Sequence, residues 1–229
     1  MNIVMITTGK RKVLLNQSLT SLFKNADHPS QHHLTIVHDG YGDEDSPMWR
    51  ATEIFNSPSV GASASRNIGA SSIPKYRRQE YVCFLDDDVY MCPRWDERIE
   101  EVFGALSPRA VSGHAHPFNH THYGTYNLLK TSVITTNVIS TVNIACSWKM
   151  WDDVGFFAEP GGPGGSEDVD WCKRATEKGY GLAVTDPQCV IHTGLVSSRG
   201  EPIVGHDLVV QRNKELMERY DLAGKVVFS

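Results

Sequence analysis

The sequence predicts an α/β fold with a largely parallel central sheet flanked by helices. Two observations support this class: short apolar segments alternate with segments of helical periodicity, and several apolar segments end in polar or acidic residues. Strands that alternate with helices are typical of parallel sheets. Such sheets bind ligands at the carboxyl ends of their strands, so those polar ends are candidate site residues.

Three apolar runs predict buried strands in the first half of the chain. They are "NIVMITT" at residues 2–8, "HLTIVHDG" at residues 33–40 and "YVCFL" at residues 81–85. Thr7, Asp39 and the run from Asp86 to Asp88 fall at or just after the ends of these strands. We therefore expect their side chains to line one crevice.

Helical spacing of apolar residues predicts the helices of the first half. The predicted helices are "KVLLNQSLTSLFKNAD", "SPMWRATEIF" and "RWDERIEEVFGAL", and "GASASRNIGASSIP" is predicted to be a loop that leads into a helix. Pro47 is acceptable in the second of these helices because it lies in the first turn.

The second half has a different pattern. The β-branched segment "TSVITTNVISTVNIACSW" predicts one or two strands, and "GLAV" and "CVIH" predict two more, the last ending at His192. "EDVDWCKRATEKG" predicts a helix, because acids begin it and a lysine and a glycine end it. "DLVVQRNKELMERY" predicts a helix near the carboxyl terminus.

Composition narrows the function classes. The chain has 229 residues with a net charge of -5, which disfavours a protein that binds nucleic acid through its phosphates. Its five cysteines include no C-x-x-C pair, so neither a disulfide framework nor a thiolate zinc site is indicated. No segment has the pattern of a signal peptide or the length of a membrane span, and we expect a cytoplasmic protein.

Three adjacent carboxylates, Asp86, Asp87 and Asp88, follow the third apolar strand. Because adjacent carboxylates repel one another, we expect a cation to compensate their charge. Carboxylate oxygens are hard ligands, which suit Mg²⁺ or Mn²⁺. A solvated acidic turn that caps the next helix is the alternative. That alternative is weaker here because a fully apolar strand directs all three acids to one place.

A second acidic group, Glu167, Asp168 and Asp170, begins a predicted helix after the glycine-rich segment "FAEPGGPGGS". Acids in a first helical turn commonly complement the helix dipole. A glycine-rich loop can also close over a ligand, and a carboxylate in a closed site can act as a general base. His192 could add a nitrogen ligand beside a carboxylate metal site, although a lone histidine is more often structural.

In order and spacing, these segments resemble the GT-A glycosyltransferases, most closely the family 2 type that uses nucleotide-sugar donors. The resemblance covers roughly residues 1–195. It rests on "TIVHDG", "SASRNIGA", "FLDDDVYMCPRWDERI", "WDDVGFF" and "SEDVDWCKRATEKGYGLAV". Each match is weak alone, and their order together is specific.

The resemblance implies a role for individual residues. Thr7, Asp39, Arg66, Asp86 and Asp87 would bind the nucleotide donor; Asp88, His192 and Asp86 would hold Mn²⁺ or Mg²⁺; and Asp168 would be the catalytic base with Glu167 beside it. Apart from the resemblance, Gly164 and Gly165 are predicted to lie in an acceptor-side lid, with a plain surface loop as the alternative. Trp148 could line the acceptor groove, with core packing as the default. The implied reaction moves a sugar from a nucleotide-diphosphate sugar, with UDP favoured, to a hydroxyl on a glycan, a lipid carrier, a protein or a modified base. A single displacement would invert the anomeric carbon.

The sequence also predicts a domain plan. Residues 1–205 would form one glycosyltransferase domain, with a nucleotide-binding half at 1–110 and an acceptor-binding half at 111–205 that carries a small antiparallel element. Residues 206–229 would form a helical extension that serves packing or a homodimer.

Two departures and three alternatives remain at this point. His38 stands where the family commonly has an aspartate, and Lys10, Arg11 and Lys12 follow the first strand where the family has a different ending. A retaining transferase on the same fold, a sugar-phosphate nucleotidyltransferase and a non-catalytic nucleotide or sugar binder are the alternative functions. The early glycine-rich signature of the nucleotidyltransferases is missing, and the intact acidic groups argue against a binder.

The histidine-rich segment "HAHPFNHTHY" remains open. Its histidines could bind zinc, but no cysteine or acid accompanies them, and an irregular connection or a sugar-stacking loop fits better.

Overall fold

The computed structural model describes residues 1–40, 50–106, 109–114, 124–128, 131–159, 167–195 and 206–228. Strands within these ranges are β1 (Asn2–Thr7), β2 (His33–Asp39), β3 (Ala51–Asn56), β4 (Tyr81–Asp86), β5 (Val89–Met91), β6 (Arg109–Ser112), β7 (Gly124–Asn127), β8 (Ser132–Thr136), β9 (Asn143–Ser147), β10 (Gly181–Asp186) and β11 (Val190–His192). Helices are α1 (Lys12–Lys24), α2 (Ala62–Ser72), α3 (Trp95–Leu106), α4 (Trp148–Val154), α5 (Glu167–Glu177) and α6 (His206–Arg219). No described helix is long and apolar enough to cross a membrane.

The centre of the fold is a nine-stranded mixed sheet with the order β3-β2-β1-β4-β9-β6-β10-β8-β7. The first four strands in that order run parallel to one another, which confirms the predicted class. Strand β9 is antiparallel to both β4 and β6, and β8 and β7 extend the sheet with antiparallel pairs. A second, two-stranded sheet pairs β5 with β11.

The two faces of the sheet carry separate apolar layers. On one face, Ile3 and Met5 of β1 belong to a layer that includes residues of α1 and α3. On the other face, Val4 belongs to a layer with Trp151 of α4 and Trp171 of α5. This alternation follows from the two-residue period of a strand, and it explains why residues 3–6 of β1 are all apolar between two helical layers.

One predicted helix is wrong. We predicted a helix over "SPMWRATEIF", but residues 51–56 form β3, which pairs in parallel with β2 at the edge of the sheet. Phe55 is half exposed there, and its ring stacks on His38 of β2 with centroids 4.5 Å apart. Pairing with β2 supplies the backbone hydrogen bonds of this segment, and that tertiary contact overrides its local helical pattern.

Helix α2 lies unusually close to the sheet. A Cβ on Gly69 would come within 2.4 Å of Val4 and 2.9 Å of Val37, so only glycine allows this approach. The amide of Asn67 exchanges two hydrogen bonds with the backbone of Phe157, at 2.9 and 3.0 Å. The "RNIG" part of the sequence motif thus fixes α2 against β1 and β2 and ties it to the chain that follows α4.

Candidate active site

The acidic run lies where β1 and β4 end side by side. Ile6 pairs with Asp86 in the parallel register, so Thr7 and the three carboxylates come to the same edge of the sheet. Thr7 Oγ1 donates a 2.6 Å hydrogen bond to Asp87 Oδ2, and both side chains are buried. The structure therefore brings Thr7 to the acids, as the strand-end argument predicted.

Arg11, at the start of α1, contacts two of the three acids. One terminal nitrogen donates to Asp87 Oδ1 at 2.8 Å, and the other donates to Asp88 Oδ2. The Arg11 side chain is about one-third exposed, whereas both carboxylates are almost completely buried. Arg11 is therefore the cation within the chain that compensates these acids. It was not among the predicted site residues.

Ser18 of α1 holds the backbone of the acidic turn. Its buried hydroxyl lies 2.8 Å from the carbonyl oxygen of Asp87 and accepts a hydrogen bond from the N–H of Val89 at 3.0 Å. Because the turn is bound from α1 on one side and from the sheet on the other, the direction of the Asp87 and Asp88 side chains is fixed by packing. Nothing in the sequence pattern distinguished Ser18 from an ordinary helical serine.

His192 reaches Asp88 through the small two-stranded sheet. The register pairs His192 with Val89, the residue after Asp88. His192 Nε2 lies 3.4 Å from Asp88 Oδ2, and Thr193 donates from both its N–H and its hydroxyl to the Asp88 carbonyl at 2.8 Å. The predicted association of His192 with the acids is therefore produced by strand pairing.

Burial and the neighbouring charges give the three carboxylates different pKa values. Burial alone would raise the pKa of Asp88, but His192 and Arg11 outweigh it and hold that pKa at about 2. Burial raises the pKa of Asp87 to about 6, although Arg11 opposes the shift. Burial also raises the pKa of Asp86, against the attraction of Arg66. Asp88 is thus the most strongly ionised member of the run.

Arg66 of α2 joins the two acidic groups. Its terminal nitrogens donate to Asp86 Oδ1 at 2.5 Å and to Glu167 Oε1 at 3.3 Å, and the side chain is only 2% exposed. Thr141 Oγ1 donates to the same Glu167 oxygen at 3.3 Å. The end of β4 and the start of α5, far apart in sequence, are therefore connected through one buried guanidinium.

Asp168 and Asp170 take different directions on α5. Asp168 is buried, and its Oδ1 accepts from the N–H of Val169 at 2.8 Å. Asp170 pairs with Arg174 on the same helix at 2.8 Å. The structure thus places Glu167 against Arg66 and leaves Asp168 beside it at the start of the helix.

Asp39 anchors the loop that leads into α2. It accepts hydrogen bonds from Ser59 Oγ at 2.6 Å, from the N–H of Val60 at 2.7 Å and from the N–H of Gly61 at 3.0 Å. Burial alone would raise the pKa of Asp39, but these hydrogen bonds outweigh it and lower the pKa. Asp39 lies at the predicted sheet edge, and its carboxylate organises a loop there.

Trp148, a predicted acceptor residue, is not brought to the acids. Trp148 is buried at the opposite end of the sheet, where its Nε1 donates to Asn2 Oδ1 at 3.0 Å and the guanidinium of Arg78 lies 4.1 Å from its ring centroid. Core packing thus accounts for Trp148. Gly164 and Gly165 lie outside the described residues, as do most of the histidines of 114–122.

A divalent cation was expected at Asp86, Asp88 and His192. Within the described ranges, no three His, Cys, Asp or Glu side chains surround one metal position. Magnesium-type sites commonly use one or two carboxylates, and substrate phosphates complete the coordination. Among the described residues, nothing forms a hydrogen bond with the buried Asp88 Oδ1, which is costly for a carboxylate oxygen unless a ligand satisfies it. Asp88 and His192 could therefore hold such a cation, with phosphate oxygens as its further ligands.

Comparison with known proteins agrees with this architecture. The chain matches the crystal structure of GalNAc-T7 with UDP, GalNAc and Mn²⁺ at a TM-score of 0.66 and 11% identity, over 82% of this chain and 42% of that chain. The fold is of the GT-A type. At this identity the match concerns the fold alone, and the chain spans well under half of the protein that it matches. Neither a protein-family model nor a curated protein matches the sequence.

Proposed function

We propose that the protein is a metal-dependent glycosyltransferase of the GT-A type. It moves a sugar from a nucleotide-diphosphate sugar to an acceptor hydroxyl. The observation that carries this proposal is the buried Asp88 carboxylate next to His192 at the carboxyl edge of a GT-A sheet. Its Oδ1 has no hydrogen-bond partner in the described part of the chain. UDP is the favoured nucleotide, and the structurally similar GalNAc-T7 crystallised with UDP supports that choice.

The donor side of the proposed site consists of Thr7, Asp39, Arg66 and the acidic run. Asp88 and His192 would hold Mn²⁺ or Mg²⁺, with Asp86 close by. When bound, such a cation neutralises a leaving diphosphate as a Lewis acid. Arg66 keeps Asp86 and Glu167 in place around the donor, because both carboxylates accept hydrogen bonds from its guanidinium.

Asp168 is the proposed general base. Glu167 Oε1 already accepts from Arg66 and from Thr141, which suits a positioning role toward the acceptor. Asp168 would take the proton from the acceptor hydroxyl, and the hydroxyl oxygen would attack the anomeric carbon. The bond to the diphosphate breaks on the opposite face of that carbon, so the reaction inverts its configuration.

Release of nucleoside diphosphate tests the proposal. The purified protein is incubated with UDP-, GDP- and dTDP-sugars in Mn²⁺, in Mg²⁺ and in EDTA. We compare wild type with Asp168→Asn and with the control Asp170→Asn, which makes the same change on the same helix at a residue paired with Arg174. Metal-dependent release that is lost only in Asp168→Asn supports the transferase.

A negative result in the same assay would contradict the proposal. Absence of release from every donor, together with no thermal stabilisation by any nucleotide, contradicts the proposal and favours a non-catalytic binder. NMR analysis of the product anomer then distinguishes inversion from retention for an active enzyme.

A further inference from the structure

Arg11 makes a paired contact with the acids that the proposed metal site depends on. Its two terminal nitrogens bind separate carboxylates, Asp87 Oδ1 at 2.8 Å and Asp88 Oδ2. Forked contacts of a guanidinium with carboxylates are among the stronger charged hydrogen bonds in proteins. Since these carboxylates are almost fully buried, Arg11 supplies the countercharge that water cannot supply.

The position of Arg11 in α1 makes this contact unusual. Arg11 is the N-cap residue of the helix, Lys12 follows it, and no acid lies in the first helical turn. Cations at a helix amino terminus are disfavoured by the helix dipole. Helical preference therefore gives no reason for a basic residue here, whereas the contact with Asp87 and Asp88 does.

Arg11 contacts the Asp88 oxygen that lies next to His192, the other predicted metal ligand. Asp88 Oδ2 faces Arg11, and His192 Nε2 lies 3.4 Å from the same atom. A Cβ on Gly194 would lie 2.0 Å from that oxygen and 2.8 Å from an Arg11 terminal nitrogen, so the space around it is already filled. The predicted metal would bind Asp88 through Oδ1, which has no described hydrogen-bond partner, while the Arg11 guanidinium occupies Oδ2. Two cations on one carboxylate would repel each other at short distance.

We propose that Arg11 is a built-in counter-cation that a divalent metal must displace from Asp88, and that Arg11 thereby sets the metal affinity of the site. This inference rests on the proposed metal-dependent function, and it concerns binding of the metal before any donor arrives. In the metal-free protein, Arg11 neutralises Asp87 and Asp88. Metal binding exchanges that contact for coordination by Asp88, so the observed affinity is lower than Asp88 and His192 alone would give.

Binding of Mn²⁺ without nucleotide tests the proposal directly. The free Mn²⁺ signal in electron paramagnetic resonance is titrated with wild type, Arg11→Gln, Arg11→Lys and the control Arg94→Gln. Arg94 is an exposed arginine that pairs with Asp27 and Glu97 outside the site. We expect Arg11→Gln to bind Mn²⁺ about tenfold more tightly, the equivalent of one charged hydrogen bond, and Arg94→Gln to match wild type.

The lysine variant keeps the test valid if Arg11→Gln does not fold. Lysine retains one positive charge but not the fork, so Arg11→Lys should bind Mn²⁺ a few-fold more tightly than wild type. Unchanged or weaker Mn²⁺ binding in a folded Arg11→Gln protein contradicts the proposal. Unchanged or weaker binding in Arg11→Lys contradicts it if that is the only folded variant.

The readout also separates this inference from the function that it rests on. Tighter Mn²⁺ binding in the Arg11 variants, with no release from any donor, would support the counter-cation and overturn the transferase. Metal-dependent release in wild type, with unaltered Mn²⁺ affinity in the variants, would overturn the counter-cation alone. Absence of Mn²⁺ binding in every protein, together with no release from any donor, would overturn both.

Discussion

The backbone of Gly194 lies directly against the carboxylate of Asp88. A Cβ added to Gly194 would come within 2.0 Å of Asp88 Oδ2, a separation far below any normal contact. Thr193, the preceding residue, donates two hydrogen bonds to the Asp88 carbonyl, so this part of the chain cannot easily move away. Asp88 is thus held between Arg11, His192 and the chain that follows β11.

We expect Gly194→Ala to damage the site while leaving the fold intact. The new methyl group must displace the Asp88 carboxylate, and overpacking of this kind typically costs about 1–3 kcal/mol. If Asp88 is a metal ligand, that cost appears as about a tenfold or greater loss in Mn²⁺ affinity and in kcat/KM for the donor. Mn²⁺ titration and steady-state kinetics measure the two effects.

Gly104→Ala is the matched control. Gly104 lies in α3. Apart from its chain neighbours and the backbone of its own helix, nothing in the described part of the chain lies within 4 Å of a Cβ built there. This variant should keep wild-type metal binding and activity. A Gly194→Ala protein that behaves like the control would argue against a functional role for the Asp88 carboxylate.

Replacement of Arg66 tests the bridge between the acidic groups. In Arg66→Met, the Asp86 and Glu167 carboxylates lose a buried guanidinium that contacts both. Removal of one partner from a buried ion pair typically costs about 3–5 kcal/mol. For a chain of this length, that loss corresponds to a melting temperature lower by roughly 10 °C. Urea denaturation and calorimetry measure these changes.

Arg66→Lys separates charge from geometry at the same position. Lysine keeps the positive charge but cannot hold two carboxylates in a forked arrangement. We expect it to recover part of the lost stability and little of the activity, because Asp86 and Glu167 would no longer be positioned together. Full activity in the lysine variant would show that charge alone suffices.

Much of the fold was predictable because buried parallel strands are apolar along their whole length. β1, β2 and β4 could therefore be located from the sequence, and α1 and α3 from the spacing of their apolar residues. Helix α2 lies in a segment predicted to be a loop that leads into a helix, and α4 was not predicted. β3 was missed because it is an edge strand of largely intermediate exposure that has neither a continuous apolar run nor a clear alternation. Its strand structure depends on pairing with β2, which a local pattern does not contain.

The strand pattern alone could predict only the residues that lie at strand ends. The carboxylates follow strand ends, and parallel strands bring their ends together, so Thr7 could be grouped with Asp87 and Asp88 in advance. Arg66 and His192 were expected beside the acids mainly through the family resemblance, and the contact of Arg11 depends on tertiary packing. The basic run at the start of α1 was the one available signal for Arg11, and nothing marked Gly194 or Ser18.

Asp39→Asn should weaken nucleotide binding through the loop that Asp39 organises. The amide group of asparagine would face the N–H groups of Val60 and Gly61, which now donate to a carboxylate. Loss of one or two such charged hydrogen bonds costs about 1.5–3 kcal/mol each. UDP affinity measured by calorimetry should fall at least tenfold, with a smaller fall in Ser59→Ala. Equal UDP affinity in all three proteins would separate this loop from donor binding.

Asp96 provides a pH-dependent contribution to stability away from the site. It is fully buried in α3 and accepts hydrogen bonds from the N–H of Asp27 and of His28 and from His32 Nε2, at 2.9 to 3.0 Å. Burial alone would raise the pKa of Asp96, but the hydrogen bonds from His32 and the backbone outweigh it and lower the pKa well below its usual range. The native state therefore binds this proton less tightly than the unfolded chain.

The pH dependence of the Asp96 contribution to stability follows from proton linkage. A carboxylate with a depressed native pKa stabilises the protein above its unfolded pKa of about 4, and the contribution is lost as the pH falls further. We expect Asp96→Asn to lower the free energy of unfolding by about 2 kcal/mol at pH 7, because two backbone donors lose a charged acceptor. Urea denaturation from pH 7 down to pH 3 should show the difference from wild type shrinking below about pH 4.

The exposed control Asp152→Asn should cost under about 1 kcal/mol at each pH. A constant difference between Asp96→Asn and wild type across that range would mean that the ionised carboxylate is not the source of the stability.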